Sequence, residues 1–154
     1  MDFELKNKGN EMHLWAKDLF PIMRSITGPG VRETLGYLKK IIPELSILSV
    51  PSGKKVYDWV VPKEWIIREA YIRNNDNVKI VDIKNNNLHV VGYSESVNKK
   101  MTLKEMEPFL HSIPDLPDAI PYVTSYYNKT WGFCINENQR KELNDEEYHV
   151  YIDS

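Results

Sequence analysis

The chain has 154 residues, 42% of them hydrophobic and 27% charged, with a formal net charge of -2 and a pI near 6.1. That is the composition of about one globular domain with a sizeable core, and it argues against disorder. The near balance of charge leaves no electrostatic footprint for nucleic acid or an anionic membrane, and the single cysteine, Cys134, excludes an internal disulfide or a multi-cysteine zinc site.

The N-terminal stretch MDFELKNKGNEMHLW lacks the apolar run of a secretory signal. No segment reaches the roughly 20 apolar residues that a membrane span requires. The expectation is a soluble, cytoplasmic protein.

The first 45 residues read as helical. Met12, Trp15, Leu19 and Ile22 share one helix face, with Pro21 near its end. After the loop SITGPG, Val31, Leu35, Leu38 and Ile42 mark a second amphipathic helix closed by Pro43. From Ser46 the pattern turns to strands. SILSV and KVYDWVVP flank the turn signal PSG, WIIREAYIR and VKIVDIK flank NNDN, and LHVVGYS follows NNN. A third helix starts at TLKE, where Thr102 and Glu105 have the spacing of a capping box. Three prolines stiffen IPDLPDAIP, Asn136 and Gln139 suggest a short capped helix in NENQRKEL, and EYHVYIDS alternates as a strand. That strand meets the chain end with no turn or polar tail, which suggests a segment of a larger protein.

The stretch PYVTSYYNKTWGFC concentrates five aromatic rings without an acid. With Asn128-Lys129 as a two-residue turn it becomes a hairpin, and Tyr126 faces Trp131. One face then carries Tyr122, Thr124, Tyr126, Trp131, Phe133 and Ile135 and is read as core. The other carries Val123, Ser125, Tyr127, Thr130, Gly132 and Cys134, a smaller and more polar face open to a ligand.

Other chemistry is sparse. His13, His89, His111 and His149 have no partner at helical ligand spacing, and neither H-E-x-x-H nor G-x-S-x-G occurs. Cys134 reads as a small core residue. In RSITGPGVR, Arg24 and Arg32 bracket a loop leading to a helix N-terminus, an arrangement able to hold a carboxylate or phosphate. Capping by Thr27 with solvated or paired arginines is the alternative. DWVVPKEW sets Trp59 and Trp65 around a proline, as a packing corner or, alternatively, an exposed aromatic platform.

Five stretches together, LFPIMRSITGPGVRETL, VPSGKKVYDWVVPKEWIIREAYI, NLHVVGYS, IPYVTSYYNKTWGFC and EYHVYIDS, resemble the N-terminal part of the bacterial aminopeptidase-like family described as polysaccharide-biosynthesis proteins with an aminopeptidase-like domain. The resemblance runs from Leu19 to Ser154. It implies an α/β domain related to zinc aminopeptidases, a β-rich domain of unknown function inserted after its first helices, and often a winged-helix segment at the C-terminus. The metal-ligating histidine and aspartate motifs of that family lie beyond Ser154, so zinc belongs to the full-length protein and none is expected in this chain.

The expected fold is α+β: N-terminal helices, then a mostly antiparallel β-rich domain with short helices. Residues 1–45 are assigned to the peptidase-like domain and 46–154 to the insert, whose last strand leads back. The expected function is that of the N-terminal and inserted portion of a zinc-dependent aminopeptidase-like hydrolase, the insert serving as lid or specificity wall. This chain alone is expected to be inactive, and no catalytic residue is assigned within it. Arg24, Ser25, Thr27 and Arg32 are the candidates for a cleft-side loop, and Ser125, Tyr126, Tyr127 and Trp131 for a substrate wall. The expected partner is a peptide or aminoacyl-type substrate, with no nucleic acid or membrane. The rival expectation is a non-enzymatic aromatic module binding a glycan or a protein.

Overall fold

A computed structural model describes residues 2–126 and 128–154, with side chains described from residue 7 onward. The chain forms two compact units, residues 1–64 and 65–154. This boundary falls beyond the Leu45/Ser46 junction expected from the sequence, because residues 46–64 gather with the helices.

In the first unit, α1 spans Asp2–Leu19 and α2 spans Pro29–Ile41. Helix α1 stops where Pro21 forbids continuation, and Ile22 closes a turn by donating to Leu19 O at 3.2 Å. Its expected apolar face therefore ends at Leu19. Helix α2 opens with Pro29 at its first position and Gly28 as N-cap at φ 98°, a conformation that costs glycine little.

SILSV forms no strand, and KVYDWVVP is not one strand but two short ones. They are β1 (Lys55–Val56) and β2 (Trp59–Val60), paired antiparallel. The reversal at Tyr57-Asp58, with Tyr57 at φ 53°, folds the run back on itself. Among the described residues this unit buries no large apolar side chain. Met12, Phe20, Ile26, Leu48, Tyr57 and Trp59 are all exposed, Leu48 at 88%.

The second unit holds the core. Strands β3 (Glu69–Arg73) and β4 (Lys79–Asp82) form the expected hairpin across NNDN, with an irregularity between Ile72 and Arg73. Asn74 Oδ1 accepts from Val78 N at 2.9 Å and Asn77 takes φ 62°, which asparagine tolerates well. Strand β5 (Val97–Thr102) is the element that the hydrophobic pattern does not announce. It is an edge strand with Asn98, Lys99 and Lys100 exposed, and edge lysines deter further strand pairing.

Thr102 ends β5 and caps α3 (Leu103–Met106) with the expected reciprocal bonds. Glu105 N donates to Thr102 Oγ1 at 3.3 Å, and Thr102 N donates to Glu105 Oε2 at 2.8 Å. Strands β6 (Leu110–His111) and β7 (Phe133–Cys134) pair in parallel. Helix α4 (Glu137–Lys141) is capped by Asn136, whose Oδ1 accepts from Gln139 N at 2.7 Å. Strand β8 (Glu147–Asp153) then enters between β3 and β5, completing an antiparallel sheet in the order β4-β3-β8-β5.

Alternation along β8 sends Tyr148, Val150 and Ile152 inward, where they join Ile72, Val81, Met106, Phe133 and Ile135. The fold is thus α+β, with helices first and a mostly antiparallel β-rich unit after them. Among the described residues no helix is long and apolar enough to cross a membrane.

Candidate functional site: two loops joined at Gly92

The expected aromatic hairpin does not form. Residues 121–126 contain no strand, and Phe133 in β7 pairs with Leu110 and bridges to Val90 rather than facing Thr124. Phe133, Cys134 and Ile135 are all buried, which a one-faced hairpin strand cannot achieve. The segment's two backbone edges are also occupied, one by β6 and the other by Val90, so it runs inside the unit and not at a sheet edge. Tyr126 is exposed and does not meet Trp131, whose ring instead stacks on Phe109 with centroids 4.0 Å apart.

In place of the hairpin, two irregular loops lie side by side. LHVVGYS begins as a 3-10 turn at Asn87–His89, with Asn86 accepting from Leu88 N, and so is not a strand. Gly92 N donates to Val123 O at 2.9 Å and Ser125 N donates to Gly92 O at 3.0 Å, a parallel bridge centred on Thr124. Further along, Glu95 N donates to Thr130 O at 2.9 Å and Val91 N to Gly132 O at 3.0 Å. Glycine at 92 eases this approach, since a Cβ there would lie 3.2 Å from Thr124 Oγ1 and 3.4 Å from Thr124 Cβ, and the Thr124 side chain would have to give by a few tenths of an ångström.

Ser94 anchors the pair from below. Its buried hydroxyl donates to Val91 O at 2.6 Å and accepts from Gly132 N at 3.2 Å, while its carbonyl accepts from Trp65 Nε1 at 2.9 Å and Ser154 Oγ at 2.8 Å. Every polar atom of Ser94 therefore has a structural task. Sequence reasoning passed over Ser94 and Gly92; the Gly-Tyr-Ser run after Val90-Val91 was their only signal.

The joined loops hold Tyr93 at φ 66° and Tyr126 at φ 48°. For a residue with a bulky side chain the left-handed region costs on the order of 1 to 2 kcal/mol, so the surrounding hydrogen bonds must over-determine both positions. Tyr126 is helped by its own N–H, which donates to Thr124 Oγ1 at 3.2 Å. Tyr93 lies 5.8 Å from Trp65 by ring centroids, and Tyr122 and Tyr126 are 74% and 58% exposed. The product is a hydrogen-bonded backbone platform with tyrosines at its rim.

Ser125 Oγ sits 3.2 Å from Gly92 O and 3.4 Å from Tyr93 O, so its hydroxyl proton is directed at carbonyls. No base accepts from it, and it serves to position the loop. Trp131 belongs to the packing against Phe109 and not to this rim. Tyr127 lies outside the described residues.

The first group of candidates sits in the other unit and is largely engaged there. Arg24 Nη1 donates to Leu19 O at the end of α1, and Arg32 makes a two-point ion pair with Glu64. That pair holds the Glu64 carboxyl below the usual carboxylate range, chiefly through the Arg32 hydrogen bond. Ser25 Oγ donates to Thr27 O at 2.7 Å, and Gly28 rather than Thr27 stands at the N-cap.

Among the described residues of the β-rich unit, Cys134 is placed as a core residue and not as an exposed nucleophile. Cys134 is fully buried, and burial pushes its thiol up to about 11. Native protein should therefore resist iodoacetamide at pH 8 and react only on unfolding; rapid modification without loss of the thermal transition would overturn this. His89 Nδ1 is 2.8 Å from Cys134 O, and burial followed by the Arg140 charge lowers His111 below the ordinary imidazole value. Among the described residues no group of three His, Cys, Asp or Glu side chains is placed to hold a metal ion.

Comparison with known proteins fits this picture. A Clostridium acetobutylicum protein with the provisional name polysaccharide biosynthesis protein with aminopeptidase-like domain is 53% identical over 146 residues, which is 95% of this chain and 33% of that protein. The crystal structure of a Clostridium acetobutylicum protein provisionally described as a peptidase matches 96% of this chain at 52% identity with a TM-score of 0.91, and the match covers 35% of that chain. The chain thus spans about a third of the length of both relatives. The resemblance read from the five sequence stretches is borne out by these descriptions. Residues 64–154 match the family described as domain of unknown function DUF2172, and their start coincides with the boundary between the two compact units. The chain belongs to this DUF2172 family.

Proposed function

We propose that this chain supplies the opening helices and an inserted β-rich domain to a zinc-dependent, aminopeptidase-like hydrolase of the cytoplasm, acting on a peptide or aminoacyl-type substrate. The observation that carries the reading is the high identity to a protein three times as long whose provisional name includes an aminopeptidase-like domain. The described residues do not fit a zinc site, so the metal ligands are assigned to parts of the protein outside this chain. In such an enzyme a bound zinc ion would polarise the scissile carbonyl and its attacking water.

This chain's own contribution is the platform at Gly92. Its rim tyrosines, carried on loops whose backbone is tied by hydrogen bonds, suit a wall that orients substrate and excludes water. The exposed apolar residues of the helical unit suit packing against a larger body.

The test is kinetic, in the zinc-loaded full-length protein, with a panel of aminoacyl and dipeptidyl chromogenic substrates. Wild type should hydrolyse some of them, and Tyr126→Ala should change KM or kcat by about tenfold, the size of one lost binding contact, with the melting transition kept. No hydrolysis across the panel, or Tyr126→Ala kinetics equal to wild type, would refute the reading.

A further inference from the structure

The outer face of the four-stranded sheet carries a concavity, wholly within residues 65–154. At the end of the sheet where β3 turns into β4, a cavity of about 240 Å³ opens among the turn, β5 and β8. We infer that it is a binding site for a small oxyanion, the carboxylate or phosphate group of a compact hydroxylated molecule. The inference does not depend on the reading above.

Strand register assembles the charge. Arg73 on β3 stands opposite His149 on β8, and His149 stands opposite Lys100 on β5. Three adjacent strands therefore bring a guanidinium, an ammonium and an imidazole, whose Nε2 lies 2.8 Å from Asn98 Oδ1, to one end of the same face. The guanidinium is held in place by the Tyr71 ring beneath it, 4.4 Å from Cζ to centroid. Its Nε is buried without a hydrogen-bond partner, and its bond from Nη1 goes to Asn77 Oδ1 at 3.0 Å.

The asparagines of the turn decide the polarity of the ligand. Asn77 Oδ1 is occupied by Arg73 and Asn74 Oδ1 by Val78 N, and both donors are groups that can only donate. The acceptor half of each side-chain amide is thus engaged, and the NH2 half is left for a ligand. Asn75, whose backbone N–H is tied to Glu146, adds a further side-chain amide. What such a site lacks is acceptors, so it selects a group rich in them. Glu147 is the exception: its carboxylate lies 3.6 Å from Lys100 Nζ, a loose pairing that leaves room to accept from a ligand hydroxyl.

A volume of about 240 Å³ equals that of about eight water molecules, enough for one ligand the size of a sugar ring or a hydrated phosphate. Tyr71 is itself buried, so the ligand would meet polar groups and not an aromatic face.

The test is a ¹H–¹⁵N NMR titration of the whole chain at low ionic strength, where screening is least. Inorganic phosphate, glucuronate and neutral glucose are added separately. At least one anion should give saturable shifts in the side-chain amides of Asn74, Asn75 and Asn77 and in the backbone near Lys100 and His149. Glucose should give none. Preference for phosphate or for glucuronate identifies which oxyanion the site takes. Lys100→Gln and Asn75→Asp are both at exposed positions, and each should weaken binding about tenfold, the effect of losing one charge-assisted contact, with melting unchanged. Absence of saturable shifts with both anions, equal shifts with glucose, or unchanged affinity in both variants would overturn the assignment.

Discussion

Phe133→Ala should destabilise the β-rich unit by about 3 to 5 kcal/mol, the usual range for a fully buried phenyl ring. Phe133 has no exposed surface, pairs with Leu110 through β7 and bridges to Val90, so its removal leaves a cavity inside the paired part of the unit. Trp131→Ala should cost less, roughly 2 kcal/mol. Its ring is only part-buried, and its loss removes one stacked pair, worth about 0.5 to 1.5 kcal/mol beyond area. This order reverses what a hairpin register implies, in which Trp131 is the central core ring. Denaturant melts of both variants distinguish the two arrangements. A Trp131→Ala loss as large as that of Phe133→Ala would contradict the packing described here.

Cutting the chain at Glu64/Trp65 should separate a part that folds from a part that does not. Residues 65–154 contain every fully buried large apolar side chain among the described residues, including Ile72, Met106, Phe133, Tyr148 and Ile152. Expressed alone, they should retain a cooperative thermal transition. Residues 1–64 should show none. Their two helices have 18 and 13 residues, close to the length at which isolated helices are marginal in water, and none of their described large apolar side chains is fully buried. Circular dichroism and calorimetry on the two pieces decide the matter. A broad, non-cooperative melt of 65–154 would mean that the core needs the helices, and a sharp transition in 1–64 would mean that the helical unit has a core of its own.

The separation also bears on the role of the helices. A segment with Leu48 at 88% exposure and a row of uncovered apolar residues is unusual for a surface meant to stay in water. In a protein three times as long there is ample chain to cover it. The β-rich unit needs no such help, as its one-sided sheet is closed by α3, β6, β7 and their loops, which is how a family can be defined on residues 64–154 alone.

Local signals in the sequence were sufficient wherever one short-range interaction dominates. Thr102-x-x-Glu105 closes a capping box within four residues, Asn136 meets Gln139 at the same spacing, and Pro21 ends a helix by chemistry that no distant contact can alter. NNDN turns the chain between β3 and β4, and the alternation of Tyr148, Val150 and Ile152 already identifies the inward face of β8. The five ordered stretches also carried the family, through residue identity and not through physics.

Tertiary structure decided the rest, where the partners are far apart in sequence. Strand β8 lies between β3 and β5, with Tyr71 opposite Tyr151 and Lys100 opposite His149, and nothing within either segment specifies a partner some 50 to 80 residues away. For the same reason Arg73, Lys100 and His149 read as isolated surface residues until the sheet brings them to one cavity. The aromatic stretch shows the limit most directly. Alternation around Asn128-Lys129 is compatible with a hairpin, but Leu110 offers Phe133 a parallel partner and Gly92 offers Val123 and Ser125 a close backbone approach. Those long-range bonds, together with the burial of Phe133, Cys134 and Ile135, outweigh a turn whose Asn-Lys pair is a poor two-residue reversal, and they hold Tyr93 and Tyr126 in a backbone conformation that is costly for tyrosine.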